Sequence, residues 1–125
     1  MKIRRDWLDI LFSDFIRKRA ILRGHCCERC GHGKASYHEL EAAHCHGRRA
    51  KSVRFDPDNS LGLCYGCHRY IDSQHVEKER LFREKLGDEG YEALKLRYLL
   101  KRPKPDRELI AIWLHEKIKE MGYVE

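Results

Sequence analysis

Residues 43–72, AHCHGRRAKSVRFDPDNSLGLCYGCHRYID, carry most of the side chains in this chain that can do chemistry. An apolar approach ends at His44, and a basic run follows through Arg48, Arg49, Lys51 and Arg54. The chain then turns at Asp56-Pro57-Asp58-Asn59, because proline presets one backbone angle and Asx side chains bond their own backbone. A short apolar return, Leu61 to Leu63, leads into Cys64-x-x-Cys67-His68. Upstream, Tyr37 to Cys45 is short and partly alternates polar with apolar residues, which predicts a strand. The stretch therefore reads as strand, long basic loop, return strand and helix. The helix is expected to start at His68 and run to about Leu86, with Gly87 ending it.

The nearest signal outside this stretch is Cys27-x-x-Cys30-Gly31, whose tight turn aims two thiolates at one ion. Cys64-x-x-Cys67 repeats that form after a 33-residue insert, so Cys27, Cys30, Cys64 and Cys67 are expected to bind one structural Zn2+. Cys26 and Cys45 are left over as buried, reduced thiols, with Cys26 the rival to Cys27 as a ligand.

Further out the pattern is helical. Asp6 caps a helix to Arg23 that places Leu8, Leu11, Phe12, Phe15 and Leu22 near one face. Arg17, Lys18, Arg19 and Arg23 at its end suit either the helix dipole or phosphate contact. Asp88 caps a helix to about Leu100, the prolines of KRPKPD break it, and Asp106 caps the last helix. Ile110, Trp113, Leu114, Ile118 and Met121 share a face there, either closing the core of a monomer or pairing a homodimer.

At 125 residues, with 37% charged side chains, the core is small and a metal staple is in keeping with six cysteines. The formal charge of +6 suits a polyanion. No run approaches the roughly 20 apolar residues of a membrane span. Acids interrupt the apolar part of the N-terminus, so it does not read as a signal peptide and a cytoplasmic setting is expected. Paired cysteines in that compartment point to metal and not to disulfides.

The central stretch has the parts for phosphodiester hydrolysis. A neutral imidazole, His44, can take a proton from water. Asn59, where the loop returns, can hold the His44 segment or its ring. His68 and Asp72 lie four apart on one helix face and can bind a divalent ion, Mg2+, Mn2+, Ni2+ or Zn2+. Arg48, Arg49, Lys51 and Arg54 suit phosphate, and no pattern reads bases, so contacts to DNA backbone and shape are expected. Each residue taken singly also has an ordinary explanation, as turn, cap or surface charge; the combination is what points to a site.

In this order and spacing the sequence resembles the HNH, or ββα-metal, endonuclease superfamily, and within it the phage recombination-protein NinG family. LDILFSDFIRKRA, CERCG, AAHCHGRR, RFDPDN, LCYGCHRYID and FREKLGDEGYEALK carry the resemblance over residues 7–121. It implies an α+β fold: a hairpin-and-helix core with the zinc knuckle (26–75) between an N-terminal helix (6–23) and C-terminal helices (76–121), all in one domain. It further implies metal-dependent DNA cleavage with His44 as base, Asn59 positioning it, and His68 and Asp72 as ligands, on branched or nicked recombination intermediates. One position departs. Many such sites carry a ligand just before the base, where this chain has Ala43; His46, two residues along the strand, is the candidate substitute. The alternative is a zinc-stapled DNA-binding accessory module without efficient cleavage.

Overall fold

The computed structural model describes residues 4–100 and 105–124. It is α+β: four helices surround one two-stranded antiparallel sheet among the described residues. The helices are α1 (Trp7–Gly24), α2 (Tyr65–Asp72), α3 (His75–Leu99) and α4 (Arg107–Met121), and the strands are β1 (Glu41–His44) and β2 (Ser60–Leu63). No helix is long and apolar enough to cross a membrane among those residues.

Asp6 starts α1 as expected. Its carboxylate accepts from the Leu8 and Asp9 amides, while the Asp9 carboxylate accepts from the Asp6 amide, a reciprocal cap. The helix runs one residue past Arg23, to Gly24, and its C-cap His25 takes the left-handed conformation (φ 52°). Its buried face is Leu8, Phe12, Phe15, Ile16, Ala20 and Ile21, whereas Leu22 lies half exposed. The first four pack with Leu114 of α4. Ala20 and Ile21 join the main core, which contains Leu40, Leu61, Leu63, Ile71 and Phe82. One helix thus serves two clusters, and its middle crosses the sheet.

That crossing is close. A Cβ placed on Gly62 of β2 would stand 2.6 Å from the Ala20 Cβ, so only glycine lets α1 approach. The register pairs Glu41 with Leu63, Ala42 with Gly62, Ala43 with Leu61 and His44 with Ser60. Arg19 fastens α1 to the loop side of the hairpin by donating to the carbonyls of Pro57 and Ser60 (3.1 and 2.9 Å). It is therefore a half-buried clamp, with its guanidinium pKa drawn down to about 10 chiefly by burial.

Two expected elements differ. Tyr37–Glu39 is a 3-10 turn and only Glu41–His44 is strand. The cause is local: Ser36 and Glu39 form their own capping box, which competes with extension. The helix expected from His68 to Leu86 is two helices. α2 already starts at Tyr65, because Cys64 turns into it, and it stops at Ser73, whose hydroxyl bonds the Tyr70 carbonyl. Gly87 breaks α3 with φ 75° and ψ 163°, which a side chain would oppose. The KRPKPD break falls largely outside the described residues, and Asp106 caps α4 as expected.

Candidate functional site: a histidine cleft beside a four-cysteine cluster

The sulfur atoms of Cys27, Cys30, Cys64 and Cys67 all lie within 4.8 Å of one another. Four convergent thiols from two Cys-x-x-Cys turns suit a structural metal such as zinc. Two amides, those of Arg29 and Cys64, point at the Cys27 Sγ (3.5 and 3.3 Å), and the Arg29 guanidinium donates to the Cys67 Sγ (3.3 Å). Burial opposes a thiolate at Cys27, but these donors and Cys30 outweigh it and bring its pKa down to about 7. At Cys67 burial, helped by hydrogen bonds with the neighbouring Cys64, Cys30 and Cys27 thiols, outweighs the Arg29 donor and pushes the thiol up to about 12. Next to the cluster, Glu28 exchanges backbone and side-chain hydrogen bonds with Gly62 (2.9 and 3.0 Å), tying the first turn to β2. Cys26 and Cys45 stand outside the cluster, so of the two neighbours it is Cys27 that joins it.

A cleft of about 1020 Å³ opens beside the sheet, lined by His44, His46, Arg48, Arg49, His68, Asp72, His75, Lys78 and Tyr98 among others. His44 closes β1 with its ring against Phe12 (5.8 Å). Its Nε2 is buried with no hydrogen-bond partner. Burial, with Arg48 nearby, lowers its pKa to about 4, so the ring is neutral at pH 7.

Asn59 is fully buried at the far end of the loop, and its side-chain amide grips the backbone of His46 from both sides. Nδ2 donates to the His46 carbonyl (2.8 Å), and the His46 amide donates to Oδ1 (2.9 Å). The Cys45 amide adds a bond to the Asn59 carbonyl (2.8 Å). Asn59 therefore holds the segment after His44 and makes no hydrogen bond to the buried Nε2 of that ring. The His46 ring lies flat on Tyr98 (4.0 Å, 6°).

His68 and Asp72 meet at the rim, Nε2 to Oδ2 at 3.3 Å, one helical turn apart on α2. A residue absent from the expected site completes this arrangement: Glu41, whose Oε1 lies 2.7 Å from His68 Nδ1. A carboxylate at each ring nitrogen leaves two arrangements. Either the ring hydrogen-bonds to both carboxylates, or Nδ1–H donates to Glu41 and leaves Nε2, with Asp72, to a ligating role. The second is the usual way a carboxylate orients a ligating histidine. Against it, Lys78 Nζ already stands 3.1 Å from Asp72 Oδ1. Among the described residues the four cysteines are the one convergence of three or more ligating side chains. His46 is not brought into a common ligand group with His68 and Asp72, and Ala43 is fully buried in the core. The only sequence signal for Glu41 was its place on the strand opposite the helix carrying His68.

The basic run divides. Arg48 and Arg49 line the cleft, whereas Lys51 lines a separate pocket with Pro57 and Arg97. Arg54 corrects the expectation of a phosphate contact: its guanidinium pairs with the buried Asp9 (Nε to Oδ1, 3.0 Å) and lies near Asp6. The reason is that α1 begins with two carboxylates that need a cation when its first turn is covered. Comparison of the chain with protein-family models, curated proteins and solved structures finds no match.

Proposed function

We propose that the protein is a metal-dependent endonuclease of the HNH type that hydrolyses DNA phosphodiester bonds. The observation that carries this reading is the unpartnered, neutral Nε2 of His44 in a cleft that also presents Arg48, Arg49, His68 and Asp72. A buried acceptor without a partner is costly, and a cleft that keeps one has a use for it.

In this mechanism Arg48 and Arg49 bind the phosphate through their guanidinium groups. His44 accepts the proton of the attacking water at Nε2. Burial keeps the ring neutral but also weakens it as a base, and the arriving phosphate anion offsets that by favouring the imidazolium. Asn59 acts as a positioning residue, fixing the backbone immediately after His44. His68 and Asp72 would hold a divalent cation, with Glu41 orienting the His68 ring. Such an ion, when bound, supplies positive charge to the phosphate and the leaving oxygen. The four cysteines take a structural zinc and have no part in the chemistry. Branched or nicked DNA of the kind processed in recombination is the proposed substrate.

A second reading is favoured by one observation, the Lys78 ammonium on Asp72, which answers that carboxylate without an ion. On it the protein is a zinc-stapled DNA-binding accessory module that does not cut efficiently.

Cleavage of supercoiled and branched DNA across Mg2+, Mn2+, Ni2+ and Zn2+, with His44→Ala beside wild type, separates the two. Metal-dependent cutting that disappears in the variant, with zinc content equal in both, supports the nuclease. Binding without cutting under every ion supports the accessory module, and cutting that survives the change removes His44 from the mechanism.

A further inference from the structure

The exposed surface of α2 carries two aromatic side chains that no core requires, set about 140° apart around the helix axis. Tyr65 is 61% exposed and Tyr70 is 43% exposed. Each is paired with a guanidinium: Arg69 lies 5.4 Å from the Tyr65 ring centre and Arg29 lies 4.4 Å from that of Tyr70. Arg29 is itself held from the other side by the Cys67 sulfur (3.3 Å), so the Tyr70 pair is anchored to the cysteine cluster. Helical geometry places Tyr65 and Arg69 one turn apart, with the exposed Gly66 between them and Tyr70 and no side chain standing over it. The same geometry puts Asp72 and His68 on the adjoining stripe, so this face continues from the rim of the cleft.

We infer that this face is a stacking surface for unpaired nucleotides of a nucleic-acid strand, running from the cleft across Tyr65 and Tyr70 toward Arg29. Exposed rings give bases a flat apolar partner, and the arginines beside them answer the phosphates without reading sequence. Nearby acids are already engaged: Asp72 with Lys78 and Glu77 with Arg80. An anionic strand with splayed bases fits this surface; a closed duplex, whose bases are stacked within, cannot use the rings. The inference rests on nucleic acid being the ligand of the cleft, and it narrows the substrate to DNA with a single-stranded segment beside the scissile phosphate.

The test is fluorescence anisotropy of the zinc-loaded full chain with a labelled oligothymidine and with a labelled duplex of equal length, without added divalent ions. The variants are Tyr65→Ala/Tyr70→Ala and Tyr65→Phe/Tyr70→Phe. Stacking predicts that the alanine pair weakens single-strand binding about 10-fold or more, while duplex binding stays within about 2-fold and the phenylalanine pair behaves as wild type. Equal loss for both ligands, no loss for either, or a phenylalanine pair as damaged as the alanine pair overturns the inference. Tight binding of an acidic peptide in place of oligothymidine overturns it also. Wild-type protein that nicks plasmid but binds no single strand removes this surface and leaves the nuclease standing. Tyrosine-dependent strand binding with nicking unaffected by His44→Ala removes the proposed chemistry and leaves the surface standing.

Discussion

Asn59 and His46, 13 residues apart in the chain, are joined by a two-point hydrogen bond between the Asn59 amide and the His46 backbone. That clamp closes the loop between the strands and determines where the chain goes after His44. Asn59→Ala leaves the part-buried His46 carbonyl and amide without their partners, so it is expected to cost about 1–3 kcal/mol, on the scale of two lost hydrogen bonds. Asn59→Asp keeps the acceptor and loses the donor, and should be no better. Urea denaturation checks both, and a loss under about 0.5 kcal/mol for Asn59→Ala would mean that water replaces the amide.

The approach of α1 to the sheet gives a second prediction. Gly62→Ala places a methyl 2.6 Å from the Ala20 Cβ, so the variant is expected to lose about 1–3 kcal/mol. Ala20→Gly in the same chain should recover part of that, because it removes the atom in the way. Thermal melts of the single and double variants decide it, and additive losses would place the strain elsewhere.

A pH dependence follows from His44. Its pKa falls from an ordinary 6.5 to about 4 in the fold. Below pH 6.5 the unfolded chain therefore takes up a proton that the folded chain refuses, and stability drops as pH falls toward 4. The full effect is about 3 kcal/mol, of which about 2 kcal/mol is lost by pH 5. His46, also lowered chiefly by burial, acts in the same direction. Urea midpoints for wild type and His44→Gln at pH 7 and pH 5 isolate this histidine from acid loss of the zinc, which affects both proteins. The wild type should lose more than the variant over that interval; parallel losses would mean that the ring is solvated.

Removal of the structural metal should be felt by the whole fold. Cys27 is fully buried in the main core beside Ala20, Ile21 and Leu63, and its turn is bonded to β2 through Glu28. A strong chelator is expected to lower the melting temperature by about 10 °C or more. Cys27→Ser should lose the zinc, and Cys26→Ser should keep it. Zinc retained by Cys27→Ser and lost by Cys26→Ser would exchange the roles of the two neighbours.

The α+β class, the cap at Asp6, the convergence of the four cysteines and the break at Gly87 were all legible in the sequence. Each depends on interactions within a few residues, or on a spacing motif that one ion must satisfy. The end of α2 at Ser73 was not legible, since it is closed by the tightened backbone bonds of Ser73 and Gln74 and by one serine hydroxyl, not by a glycine or proline.

Side-chain partners across long separations were decided only by the tertiary structure. Arg54 reads as one more basic loop residue, yet packing of α1 against the loop leaves Asp9 buried and gives it that arginine. Glu41 reads as a polar strand position, yet pairing of β1 with β2 and the turn into α2 bring it to His68, 27 residues on. His46 reads as a ligand on the same strand face as His44, yet the Asn59 clamp and the Tyr98 ring claim its backbone and its side chain. Composition and spacing determine which groups this chain has available. Burial determines which of them are already committed, because a charge or amide removed from water must take its nearest partner, and that partner is set by topology.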